Sequence, residues 1–86
     1  MPEKVYLPVF SEAATEALLR LPRRRQQRVL ALAHQLSARP HIRSDYRLPD
    51  DSGRAIDYLA VDDYVFAYWI DDAVREVRII EIEDAS

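Results

Sequence analysis

Cysteine is absent from the 86 residues, and two histidines are too few to cluster with it. A disulfide framework and a structural zinc are therefore both excluded, although a chain this small often needs one or the other. One domain, residues 1–86, has to draw its stability from packing and from any partner it has. No apolar run approaches the roughly 20 residues that span a bilayer. The first residues, Met1-Pro2-Glu3-Lys4, lack the basic stretch and apolar run of a signal peptide. A reducing cytoplasm is the expected location, with no membrane partner. Glycine occurs once, as Gly53, inside Pro49-Asp50-Asp51-Ser52-Gly53, a strong turn in which a positive φ is expected.

Positive charge is in deficit overall, with a net charge of −3, but the deficit is uneven. Residues 1–43 carry eight Lys/Arg against three Asp/Glu, whereas residues 44–86 carry four against twelve. An acidic chain is a poor candidate for sequence-independent nucleic-acid binding, which depends on neutralising phosphates. The basic first half can still face phosphates or an acidic partner segment.

What is present reads as an α+β domain. Val5 to Phe10 is an apolar and aromatic run interrupted by Pro8, which suits a strand at an edge. Ser11 is a candidate N-cap with Glu12 in the first turn, and Ala14, Leu18 and Leu21 recur at helical spacing, giving a helix over 12–21. Pro22 is placed to begin a second helix, which runs to about Ala38 with Val29, Leu32, Ala33 and Leu36 on one face. Leu18, Leu21, Val29, Leu32 and Leu36 are the expected buried stripe. Beyond Arg39-Pro40 the period changes from helical to alternating. Asp45 to Leu48 is a weak strand, followed by strands at 54–61, 64–70 and 77–82. Asp62-Asp63 and Asp71-Asp72-Ala73 make the turns between them. The expected fold is a helical hairpin packed on one face of an antiparallel sheet of about four strands.

The order of these elements, together with Leu18-Leu19-Arg20-Leu21-Pro22, Gly53-Arg54-Ala55-Ile56-Asp57, Asp63 to Trp69 and the closing stretch Val74 to Ile82, resembles the RelE/ParE toxin superfamily, and its RelE-like branch in particular. The resemblance covers nearly the whole chain. It implies the toxin of a type II toxin–antitoxin pair, held inactive by a cognate antitoxin. RelE-type members cleave messenger RNA on the ribosome and ParE-type members inhibit DNA gyrase. A binding module that keeps the fold without the activity is a third possibility. RelE-type cleavage uses the RNA's own 2′-hydroxyl, so it requires a proton acceptor, cations for the developing phosphorane charge and a donor to the leaving oxygen. The chain departs from the pattern here. Ala55-Ile56-Asp57 stands where RelE-type members have Lys-Ile-Lys, Val65 replaces an arginine, and Glu83, Asp84, Ala85 and Ser86 replace a closing Arg and Tyr.

The remaining candidates are few. Arg54 and Arg78 would flank the strand carrying Tyr68, a guanidinium being able to grip a phosphate with two hydrogen bonds and a tyrosine to stack on a base. These three form the candidate catalytic set. The competing reading pairs the two arginines with Asp57, Glu76 or Glu81 across strands. Tyr64, Phe66 and Trp69 read as packing residues. Arg47, before the turn, and His41, in the loop ahead of the meander, are candidate substrate contacts; a histidine titrates near neutrality and suits proton transfer. His34 reads as a surface residue. Arg24 and Arg28 on the second helix are the candidate antitoxin contacts. No cofactor is implied, and the Asp pairs lie in turns at spacings that build no metal cage.

Overall fold

The structure, a computed structural model, describes residues 5–85. Met1 to Lys4, read above for a signal peptide, lie outside the described residues. Strand β1 (Leu7–Phe10) leads into helices α1 (Glu12–Leu19) and α2 (Arg23–Ala38), and then into β2 (Tyr46–Pro49), β3 (Ala55–Val61), β4 (Tyr64–Asp71) and β5 (Glu76–Asp84). Ser11 caps α1 as its sequence position suggests, its hydroxyl oxygen accepting from the Ala14 amide at 3.0 Å. Helix α1 ends two residues earlier than the apolar spacing predicts, and Pro22 is the N-cap of α2 rather than its first helical residue. The Leu21 carbonyl beside this break accepts from the Gln26 side-chain amide at 2.9 Å, so the break leaves that oxygen satisfied.

The sheet has five strands in the order β1-β5-β4-β3-β2. Strands β2 to β5 form the expected antiparallel meander. The expectation of an all-antiparallel sheet of about four strands is corrected by β1, which lies parallel to β5 with Val9 opposite Arg78. Parallel neighbours need a long crossover, and the helical hairpin with the rest of the meander provides one. Alternation within a short segment identifies a strand but carries no record of its neighbour.

Val29, Leu32, Ala33 and Leu36 of α2 and Ala14 of α1 pack with Tyr64, Phe66, Tyr68, Val77, Ile79 and Ile82 as one core. Leu18 and Leu21 are half-buried at its margin. Ile79 and Ile82 are three positions apart, so strict alternation would send one of them to the other face. A bulge resolves this: Ala67 faces Glu81 while Tyr68 faces Ile79, leaving Ile80 as the extra residue. The Ile80 carbonyl accepts from the Ser11 hydroxyl at 2.8 Å, which ties the bulge to the start of α1. Both helices lie on one face, and the other face of the meander carries no helix.

Candidate functional site

On the helix-free face the register sets Tyr58 beside Ala67, and Trp69 beside Arg78. By alternation with inward-facing Leu59, Phe66, Tyr68 and Val77, that face carries Arg54, Ile56, Tyr58, Ala67, Trp69 and Arg78. It is not fully solvated. Ile56 and Ala67 are each 2% exposed although neither belongs to the main core. Larger side chains must therefore cover them.

Arg54 is delivered by the turn before β3. Asp50 accepts from the Ser52 hydroxyl at 2.7 Å and from the Ser52 and Arg54 amides at 2.9 Å each. These bonds, the Ser52 hydroxyl foremost, hold the Asp50 carboxyl below the usual carboxylate range. Gly53, at φ 86°, donates its amide to the Asp50 carbonyl at 3.0 Å. The guanidinium that follows lies over the Trp69 ring, 3.9 Å from its centre. Arg78 approaches the same ring at 5.6 Å. Two cations thus share one indole, an attraction of roughly 0.5–1 kcal/mol each at an exposed site. Beside them Val9, Phe10, Ser11, Trp69, Arg78 and Ile79 line a hollow of about 130 Å³.

Arg78 is also ion-paired, with Glu76 of its own strand at 2.9 Å and with Asp71 across on β4 at 3.8 Å, so the expected partner Glu76 is found within the strand and the cross-strand partner is Asp71. Its Nε is buried and makes no hydrogen bond, so any grip on a phosphate falls to the terminal nitrogens, one of which already meets Glu76. With a 42% exposed side chain, the guanidinium retains N–H groups that a phosphate can reach.

The other sequence candidates lie elsewhere. Arg54 and Arg78 do flank β4, but the aromatic between them is Trp69. Tyr68 points to the helices at 1% exposure, so the stacking role expected of it is corrected. Its hydroxyl has no hydrogen-bond partner, and burial, reinforced by the Asp57 carboxylate, pushes its pKa up to about 12. Arg47 donates to Asp57 at 2.9 Å, and Asp57 also accepts from Ser44 at 2.8 Å, again on the Tyr68 side of the sheet. His41 sits by the β4–β5 turn, 3.4 Å from Asp72 and edge-on to Tyr6. The Tyr6 hydroxyl donates to the same carboxylate, which raises its pKa. Neither His41 nor Arg47 contacts the Arg54–Trp69–Arg78 group. Arg28 is ion-paired with Asp62 at 2.6 Å, whereas exposed Arg24 makes no ion pair among the described residues. No group of three His, Cys, Asp or Glu suited to a metal occurs among the described residues.

Two residues at the candidate sites are not singled out by the sequence reading. Trp69 reads as packing in the sequence, although counting parity from the inward Phe66 places it outward with Arg54. Arg25 donates to the Tyr64 hydroxyl at 2.7 Å and to Asp84 at 2.9 Å, at a groove of about 590 Å³ between the helices and the end of β5. Nothing in the order of residues 23–25 distinguishes it from its neighbours.

With this geometry in place, solved structures of the same shape are informative. The chain is similar to a chain of the RelBE2 toxin–antitoxin complex from Mycobacterium tuberculosis, with a TM-score of 0.73 and 24% identity over 93% of this chain and 98% of that one. It is similar to a chain of the archaeal RelE–RelB complex from Pyrococcus horikoshii OT3, at 0.69 and 16% over 98% of both. A chain of the intact E. coli RelBE toxin–antitoxin complex matches at 0.67 and 17%, over 95% of this chain and 98% of that one. The fold is that of RelE toxins. No protein-family model and no curated protein matches the chain by sequence. Set in the RelE fold, the helix-free face of this chain presents arginines 54 and 78 around a tryptophan, with Asp71 and Glu76 beside one of them.

Proposed function

We propose that the chain is the toxin of a toxin–antitoxin pair, that a cognate antitoxin restrains it, and that it inhibits translation by cutting messenger RNA on the ribosome. The observation that carries this reading is the convergence of Arg54 and Arg78 on Trp69, on the face that the helices leave open. Two guanidiniums can grip a scissile phosphate and stabilise the charge that develops as the 2′-hydroxyl attacks, while the indole holds an adjacent base. The group has no histidine, so the proton acceptor comes from the substrate's surroundings or from a carboxylate such as Glu76. Ribosomal RNA would supply much of the binding that a chain of net charge −3 lacks.

A second reading is a binding module that keeps the toxin fold without chemistry. The acids held against Arg78 favour it, because they already offset the charge that a phosphate would meet. One experiment separates the two. The chain is induced without its partner, transcript 5′ ends are mapped, and DNA supercoiling is assayed in the same culture. Codon-phased cuts with normal supercoiling are expected, and Arg78→Ala should abolish them, since loss of one preorganised donor typically costs about 100-fold or more in rate. Intact transcripts with impaired supercoiling would instead indicate gyrase inhibition. Intact transcripts with normal growth would leave the inactive module.

A further inference from the structure

We propose that the paired rings of Tyr46 and Tyr58 form a base-stacking platform for single-stranded RNA, extending the Arg54–Trp69–Arg78 group across the helix-free face. This deepens the nuclease reading and rests on it for the identity of the strand. Tyr46 and Tyr58 are direct partners in the β2–β3 ladder, so both project from the same face, which is that of Trp69. Their rings are parallel to within 7° at 4.7 Å between centres. Tyr58 is the inner ring, half-buried beside Ala67, and Tyr46 is the outer one at 51% exposure. The outer ring therefore keeps a π-face open to a ligand while the inner ring fixes its orientation.

The placement fits a strand of nucleotides. By strand spacing, Tyr46, whose ring is the open one, lies about 12 Å from Trp69 at Cα, so bases separated by one nucleotide can use the indole and the tyrosine pair. Arg54 sets a cation at the indole end of this track, 3.9 Å from the centre of the Trp69 ring, where a phosphate flanking that base would run. The acids of the face, Asp71 on β4 and Glu76, Glu81 and Glu83 on β5, lie off the β2–β3 side that carries the tyrosines. The β2–β3 side therefore offers aromatic rings and a cation, and no carboxylate on this face within the Tyr46–Tyr58 pair, which is the chemistry that stacks bases without reading their edges.

Fluorescence anisotropy of a labelled, mixed-sequence single-stranded RNA octamer, titrated with the full chain at low salt, tests the platform. Tyr46→Phe should bind as the parent does, whereas Tyr46→Leu, which keeps apolar bulk and loses the π-face, should bind roughly tenfold or more weakly. Tyr46→Trp should bind at least as tightly as the parent. Circular dichroism and the thermal midpoint check that each variant is folded. Equal affinity for the Leu and Phe variants, no binding by the parent chain, or self-association abolished by Tyr46→Leu with RNA binding unchanged would each overturn the platform. The nuclease reading stands or falls separately. Tyr46-dependent binding with uncut transcripts would sustain the platform and remove the nuclease, while phased cuts with equal affinity for the Leu and Phe variants would do the reverse.

Discussion

A phenol hydroxyl sealed in the core without a hydrogen-bond partner costs free energy, and Tyr68 carries one. Replacing it by phenylalanine removes the unsatisfied group and leaves the ring that packs between sheet and helices. Tyr68→Phe is expected to raise the unfolding free energy in urea by about 1 kcal/mol. The same hydroxyl gives the fold an alkaline limit. Its pKa rises from 10.0 to about 12 on folding because burial opposes the phenolate. The proton is thus held more tightly in the folded state, so its contribution is complete below pH 10 and is lost as pH climbs toward 12. The difference in stability between Tyr68→Phe and the parent should widen across that window, and a constant difference would mean that Tyr68 does not titrate with unfolding. Residue parity also explains how the site was misread. Arg54 and Arg78 were legible as the cations, but the aromatic they share depended on whether Tyr68 or Trp69 faces out, and only the packing of Phe66 against the helices decides that.

At the scale of elements, the helical and alternating periods located both helices and all five strands, because each expresses which side meets the core. Leu32 shows how strongly the α2 stripe is committed, being 3% exposed. Leu32→Ala should cost roughly 2–5 kcal/mol in a urea titration; a loss below about 0.5 kcal/mol would mean that the α2 stripe is assigned to the wrong face. The bulge at Ile80 was not read, although its trace is the doubled isoleucine at 79 and 80, where alternation fails. A doubled apolar residue has several possible resolutions, and the one adopted here depends on Ser11 reaching the Ile80 carbonyl from a distant part of the chain. The β4–β5 turn holds another undeclared feature, Arg75 at φ 56°. The left-handed conformation costs an L-residue roughly 1–2 kcal/mol, against which glycine adds about 0.5–1 kcal/mol of unfolded-state entropy. Arg75→Gly should therefore stabilise the chain by up to about 1 kcal/mol, seen as a higher urea midpoint with an unchanged slope.

Across the whole molecule, folding bends the charge dipole of the sequence back on itself. The basic first half and acidic second half meet where Arg25 pairs with Asp84 and Arg28 with Asp62, joining α2 to the β3–β4 turn and to the end of β5. Arg28, one of the two candidate antitoxin contacts, is thus engaged within the chain, as is its neighbour Arg25, a pairing that net charges by half could not foretell. Arg24 remains exposed on α2 with no ion pair among the described residues. This divides the two candidate antitoxin contacts into different experiments. If an acidic segment of the antitoxin approaches α2, its encounter rate depends on the residual positive field there, which Arg24 supplies and Arg28 largely spends on Asp62. Arg24→Glu should slow association several-fold at low salt and flatten its dependence on ionic strength, with dissociation little changed. Arg28→Glu would set a carboxylate against Asp62 and should act first on the fold, lowering the urea midpoint of the isolated chain before any partner is added. Stopped-flow association at two salt concentrations, together with urea unfolding of each variant, measures both effects. Unchanged association for Arg24→Glu would move the antitoxin to another surface, such as the groove beside Arg25 or the free edge of β2.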